Sequence, residues 1–93
     1  MTRMRGEFAE VFSAFRKARG LRQRLVAQRV GCTTQAISNW ESGRYLPNEK
    51  RVLQICRALG LGKEEGGRLL LAYAHAHIII ILTRLDGWRT LLS

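Results

Sequence analysis

The sequence predicts an all-α domain of five helices, and three observations carry that reading. Apolar residues recur at three- and four-residue steps, as in Phe8, Val11, Phe12 and Phe15, so each run presents one stripe of a helix. Glycines punctuate the runs at Gly20, Gly31, Gly43 and Gly60, where a helix is expected to stop. Between Gln23 and Gly43 the spacing is that of two short helices crossing steeply about a tight turn: Ala27 stands four residues before Gly31, Ile37 six after it and Trp40 nine after it.

The first helix is expected over Glu7 to Arg19, with Phe8, Val11, Phe12, Phe15 and Ala18 as its inward stripe. Glu7 and Glu10 lie near its positive end, Arg16, Lys17 and Arg19 near its negative end. Residues 1–6 read as a loose arm. The second helix runs from about Arg22 to Val30 on an inward face of Val26, Ala27 and Val30, and Gly31 can take the positive φ that ends it. The third spans about Thr33 to Ser42, with Thr33 as N-cap and Gly43 as stop. Its inward face is Ile37 and Trp40, while Thr34, Gln35, Ser38 and Asn39 fall on the opposite face. Those four are uncharged hydrogen-bonding side chains of the kind that read base edges in a major groove. Pro47 holds Leu46 out of helical angles, so 44–47 is a loop. A fourth helix follows from Asn48 to Leu59, capped by Asn48, with Val52, Leu53, Ile55, Cys56 and Leu59 as its buried face.

A fifth helix begins near Lys63 and reaches at least Ala74, although Gly66 and Gly67 each weaken its start by about 1 kcal/mol relative to alanine. Beyond His75 two readings compete. Ile78, Ile79, Ile80 and Ile81 favour a strand, and Asp86-Gly87 between Leu85 and Trp88 is a hairpin signal. Alternatively Asp86 caps a last helical turn through Trp88, Leu91 and Leu92. The helix is favoured, because an isolated hairpin is marginal in water. Two regions follow: a core at 1–62, and a C-terminal apolar extension at 63–93.

The charge is unevenly spread between these regions. Of the 93 residues, 1–62 hold 12 Lys and Arg against 4 Glu, whereas 63–93 hold 4 against 3 acidic residues, so the net +9 belongs almost wholly to the core. That balance points to a polyanion. Cys32 and Cys56 form neither a Cys-x-x-Cys pair nor a secreted framework and read as reduced packing residues of a cytoplasmic protein. The N-terminus lacks the apolar segment of a signal peptide. The apolar run Leu69 to Leu82 falls short of the roughly 20 residues a membrane span needs.

Arg16, Gly20-Leu21, Gln23, Ala27, Gly31, Ile37-Ser38, Trp40-Glu41, Gly43, Pro47 and Leu59-Gly60 together resemble the Cro and lambdoid-repressor-like helix-turn-helix regulators, the Xre family, over about Phe15 to Leu61. The resemblance implies a five-helix repressor-like domain, prokaryotic or phage-encoded, whose third helix enters the major groove of double-stranded DNA. It implies base readout by Thr34, Gln35, Ser38 and Asn39. Gln23 would bond a phosphate and brace that helix; Thr33, Arg44 and Tyr45 would hold phosphates. Arg16 and Glu41 would form an ion pair tying the first helix to the end of the third. The chain departs from the pattern at Arg22, where a Ser or Thr cap is usual; a bound phosphate assisted by Arg22 would complete that helix end.

No phosphate-cradling glycine loop, nucleophile–histidine pair or His-Glu-x-x-His is present, so no enzyme is expected. No cofactor is implied, and the spacing of Cys32, Cys56, His75 and His77 matches no zinc module. The expected working unit is a repressor homodimer on an inverted repeat, assembled through Ile78, Ile79, Ile80, Ile81, Leu82, Trp88, Leu91 and Leu92. The rival is an antitoxin-like interaction module whose apolar tail binds a partner protein.

Overall fold

The computed structural model describes residues 4–84, with side chains from 6 to 82. Five helices follow in order: α1 Met4–Ala18, α2 Gln23–Val30, α3 Thr34–Glu41, α4 Glu49–Ala58 and α5 Lys63–Arg84. No strand occurs among the described residues. The long α1 and α5 pack along each other, α3 lies against α1 and α4 against α5, and α2 packs on α3 and α4.

Phe8 and Phe12 of α1, Val26 of α2, Ile37 of α3, Val52 and Ile55 of α4 and Leu69 of α5 are all fully enclosed. The short helices α2 and α3 lie well below the length at which an isolated helix is stable in water, so their stability comes from this shared core. Their ends are fixed locally. Gly31 takes φ +87°, and its N–H and that of Cys32 both donate to the Ala27 carbonyl, which closes α2 and turns the chain. Thr33 Oγ1 accepts from Ala36 N at 3.0 Å and Asn48 Oδ1 accepts from Arg51 N at 2.8 Å, the side-chain caps of α3 and α4.

Several boundaries and faces differ from the sequence reading. Residues 4–6, read as part of a loose arm, belong to α1, which stops at Ala18 rather than Arg19. Packing on α5 outweighs the cost of Gly6 there, a case of tertiary context overriding propensity. Leu53 of α4, expected in the buried face, is 43% exposed, and Ala18 is exposed too. α5 is one continuous helix through all four isoleucines, so the strand reading fails as far as Arg84. Its inward residues Leu69, Ala72 and Ala76, at steps of three and four, are locked into the core and hold the β-branched run in register with them. The hairpin turn at Asp86-Gly87 lies outside the described residues.

The hydrophobic core is not confined to 1–62, since Leu69, Ala72 and Ala76 of the extension are part of it. At 22 residues α5 is longer than the apolar run alone suggested, and by length and composition it could cross a membrane. Its inward face is instead committed to α1. Where α5 begins, Arg19 Nη2 lies 2.6 Å from Glu65 Oε1. That hydrogen bond, aided by the arginine's charge, holds the Glu65 carboxyl below its ordinary value. A depressed carboxyl contributes stability above its unfolded-state pKa and loses it as pH falls through the folded-state value. Glu65→Gln is therefore expected to lower the melting temperature slightly at neutral pH, with the difference from wild type vanishing in acid.

Candidate nucleic-acid interface

Three helix ends meet at one ion pair. Arg16 Nε and Nη2 donate to the two carboxylate oxygens of Glu41 at 2.5 and 2.9 Å, while Arg16 Nη1 donates to the Leu21 carbonyl at 2.7 Å. Gln23 Nε2 donates to Glu41 Oε1 at 3.2 Å. The end of α1, the first residue of α2 and the last of α3 are thereby fixed to one carboxylate. The pair is nearly enclosed, with side-chain exposures of 13% and 7%, and hydrogen bonding to Glu41 holds the Arg16 guanidinium above its ordinary pKa despite the opposing cost of burial. Removing one partner of such a pair strands the other. Glu41→Ala is expected to cost about 3 kcal/mol by denaturant unfolding, and a loss under about 1 kcal/mol would show that the pair is not the clamp.

The clamp sets the outer face of α3. Ile37 and Trp40 are buried, Thr34 and Gln35 are exposed, and Ser38 and Asn39 are half-buried beside them. Gln35 Nε2 donates to Asn39 Oδ1 at 3.1 Å, so two of the four side chains on this face are already tied together. The sequence reading treated them singly, although their i, i+4 spacing is the signal for such a bond. Beyond α3 the Asn39 carbonyl accepts from Arg44 N at 3.1 Å and Tyr45 N at 3.4 Å, which folds the following turn back on the helix. Arg44 and Tyr45 are exposed there, Tyr45 by 58%. Thr33, at the other end of α3, is exposed as well and bonded to the Ala36 amide.

At the start of α2, Arg22 is the N-cap residue in extended conformation, φ −83° and ψ 152°, and its side chain makes no capping hydrogen bond. That helix end carries N–H groups aimed outward and a partial positive charge, with Arg22 and Arg24 exposed around it. Some of the basic charge is structural. Arg29 Nη1 donates to the Ala58 carbonyl at 2.8 Å and Arg51 Nη1 to the Val30 carbonyl at 3.3 Å, each completing a helix C-terminus; Arg68 lies 5.5 Å over the Phe15 ring. No sequence signal distinguished these arginines from outward ones.

Of the tail residues assigned to self-association, Ile78, Ile81 and Leu82 are exposed and Ile79 and Ile80 half-buried; Trp88, Leu91 and Leu92 lie outside the described residues. Leu71, 58% exposed, belongs with the exposed set and was missed. Cys32 and Cys56 are free thiols raised in pKa chiefly by burial, and no cluster of three metal-ligating side chains occurs among the described residues.

The helix-turn-helix domain family matches residues 7–69. Endothelial differentiation-related factor 1 of Homo sapiens is 36% identical over 63 residues, 64% of this chain, and the Rattus norvegicus and Mus musculus proteins match to the same extent. The match spans 43% of those relatives' own length. Among solved structures, the clp gene regulator ClgR of C. glutamicum superposes with a TM-score of 0.67 at 22% identity, over 80% of this chain and 92% of the other.

Proposed function

The chain belongs to the helix-turn-helix domain family, and from that premise we propose that it is a Cro- and lambdoid-repressor-like, sequence-specific regulator of transcription that binds duplex DNA as a homodimer and represses. The observation that supports this most directly is the outer face of α3: Thr34, Gln35, Ser38 and Asn39 side by side on a helix braced from behind by the Arg16–Glu41 pair. In this reading α3 lies in the major groove. The Gln35 and Asn39 amides offer the donor and acceptor that adenine's edge requires, and the Thr34 methyl suits thymine. Thr33, Arg44 and Tyr45 hold the flanking phosphates, and another sits on the N-terminus of α2 beside Arg22 and Gln23. A two-fold axis through α5 would set two such helices about 34 Å apart, on an inverted repeat. The name of ClgR, a gene regulator, agrees with a regulatory role, and the family is typically non-enzymatic.

Selection of bound sequences from a random duplex pool tests the reading; an enriched inverted repeat is expected, and no enrichment would refute it. Substitution then separates the two kinds of contact. Gln35→Ala should cost about 1–3 kcal/mol on the selected site and relax the preference at one base pair, whereas Arg44→Ala should weaken selected and random DNA alike. If Gln35→Ala lowers both equally, α3 is not the reader.

A further inference from the structure

Two of the four side chains on the outer face of α3 meet each other: Gln35 Nε2 donates to Asn39 Oδ1 at 3.1 Å. We infer that this bond makes them a single reading unit of fixed polarity, in which Gln35 keeps the donor and acceptor that adenine needs while Asn39 acts as a donor and selects thymine or guanine. The unit presupposes the proposed function and deepens it, since taken singly either amide could pair with adenine.

Asn39 is the fixed member. Its side chain is half-buried, and its backbone carbonyl accepts from Arg44 N, Tyr45 N and Ser42 Oγ, which pins the last turn of α3 to the chain beyond it. Gln35 is exposed and has one more rotatable bond. Tied to Asn39 it gives up much of that freedom in advance, so less is lost on binding. In water an amide pair at this spacing favours the tied rotamers by only about twofold. In a groove emptied of water the bond strengthens and an unpaired amide is costly, so the pairing governs the bound state.

The bond sets what each amide has left to offer. Gln35 has spent one Nε2 hydrogen and keeps the other together with Oε1, the donor and acceptor that meet adenine N7 and N6. Asn39 has engaged its side-chain oxygen and keeps its Nδ2 hydrogens to donate. A base amino group brought to Oδ1 would meet the Gln35 N–H already there. Adenine and cytosine are therefore disfavoured beside Asn39, and thymine O4 or the O6 and N7 of guanine are favoured. The two Cα atoms stand about 6 Å apart along α3, so the unit spans base pairs one or two steps apart.

Selection from a random duplex pool, run with the full chain and three variants, tests the unit. Gln35→Ala should relax one base pair, where the wild type discriminates by about 5- to 150-fold. Asn39→Ala should relax two, its own and, by about threefold or more, that of the unaltered Gln35. Asn39→Asp still accepts from Gln35 but no longer donates. Its overall affinity should fall, and the preference at the Gln35 base pair should hold. At the Asn39 base pair the preferred pair should turn round, an amino-bearing base standing where the acceptor-bearing one stood. If Asn39→Ala relaxes its own base pair alone, the unit is overturned; if the pair does not turn round in Asn39→Asp, the polarity is overturned. Either result leaves the proposed function standing, whereas a wild type that enriches no sequence overturns that function and the unit with it.

Discussion

Raising the salt from about 50 to 200 mM is expected to lower the affinity for the selected duplex roughly 10³- to 10⁵-fold, measured by fluorescence anisotropy. The magnitude follows from the phosphates that the proposed dimer would neutralise, on the order of 6 to 10, each releasing condensed counterions. Some of the cations are already committed to the fold. Arg16, Arg19, Arg29 and Arg51 are engaged with Glu41, Glu65 and the ends of α4 and α2, so removing one of them alters the fold before it alters the field. Arg22 and Arg44 are exposed near the outward N-terminus of α2 and the turn after α3. On its proposed phosphate role, Arg44→Ala should reduce the slope of log K against log salt by about 2 per dimer, while Arg29→Ala should leave the slope and lower the melting temperature. A flat salt dependence in the wild type would remove the basic face from the mechanism.

Much of this arrangement was legible in the sequence because it is set by local rules. Thr33 and Asn48 cap helices where their side chains announce it, and Gly31 adopts the left-handed turn that only glycine takes without strain. What was not legible depends on partners distant in sequence. Four isoleucines in a row carry a strand preference, and only the placement of Leu69, Ala72 and Ala76 against α1 decides for helix. Leu53 sits in an apolar periodic pattern yet faces outward, because α4 meets its neighbours over a narrower stripe than its sequence offers. The division of arginines into those that cap carbonyls and those that face solvent is likewise invisible to composition. In the candidate site the residue types could be read but not their mutual bonds: the Gln35–Asn39 link and the attachment of Gln23 to Glu41 needed the fold.

Ile78→Asp is expected to turn a dimer into a monomer and to weaken binding to the inverted repeat by about 10² to 10⁴, the range by which joining two sites exceeds one alone. The outer face of α5 is apolar and exposed. Leu71 is 58% exposed, Ile78 52% and Ile81 40%. With Ala74 these residues recur at steps of three, four and three, the spacing of a helix–helix seam in which side chains of one helix fill the spaces of another. Leu82, 39% exposed, widens the same stripe. Soluble monomers rarely show a contiguous apolar patch beyond roughly 300 to 600 Å², and a second copy laid across a two-fold axis covers both patches at once. Truncation is a poor test, because a cut after Ala74 removes Ala76, which is fully buried, and so opens the core. Ile78 is half out of the fold already, so a charge there should leave helicity and melting intact while placing two carboxylates face to face across the axis. Sedimentation should show a dimer for the wild type and a monomer for the variant at micromolar concentration, with single half-sites bound equally weakly by both. A wild type that sediments as a monomer under those conditions would leave the α5 face to a different protein and the inverted repeat without its cause.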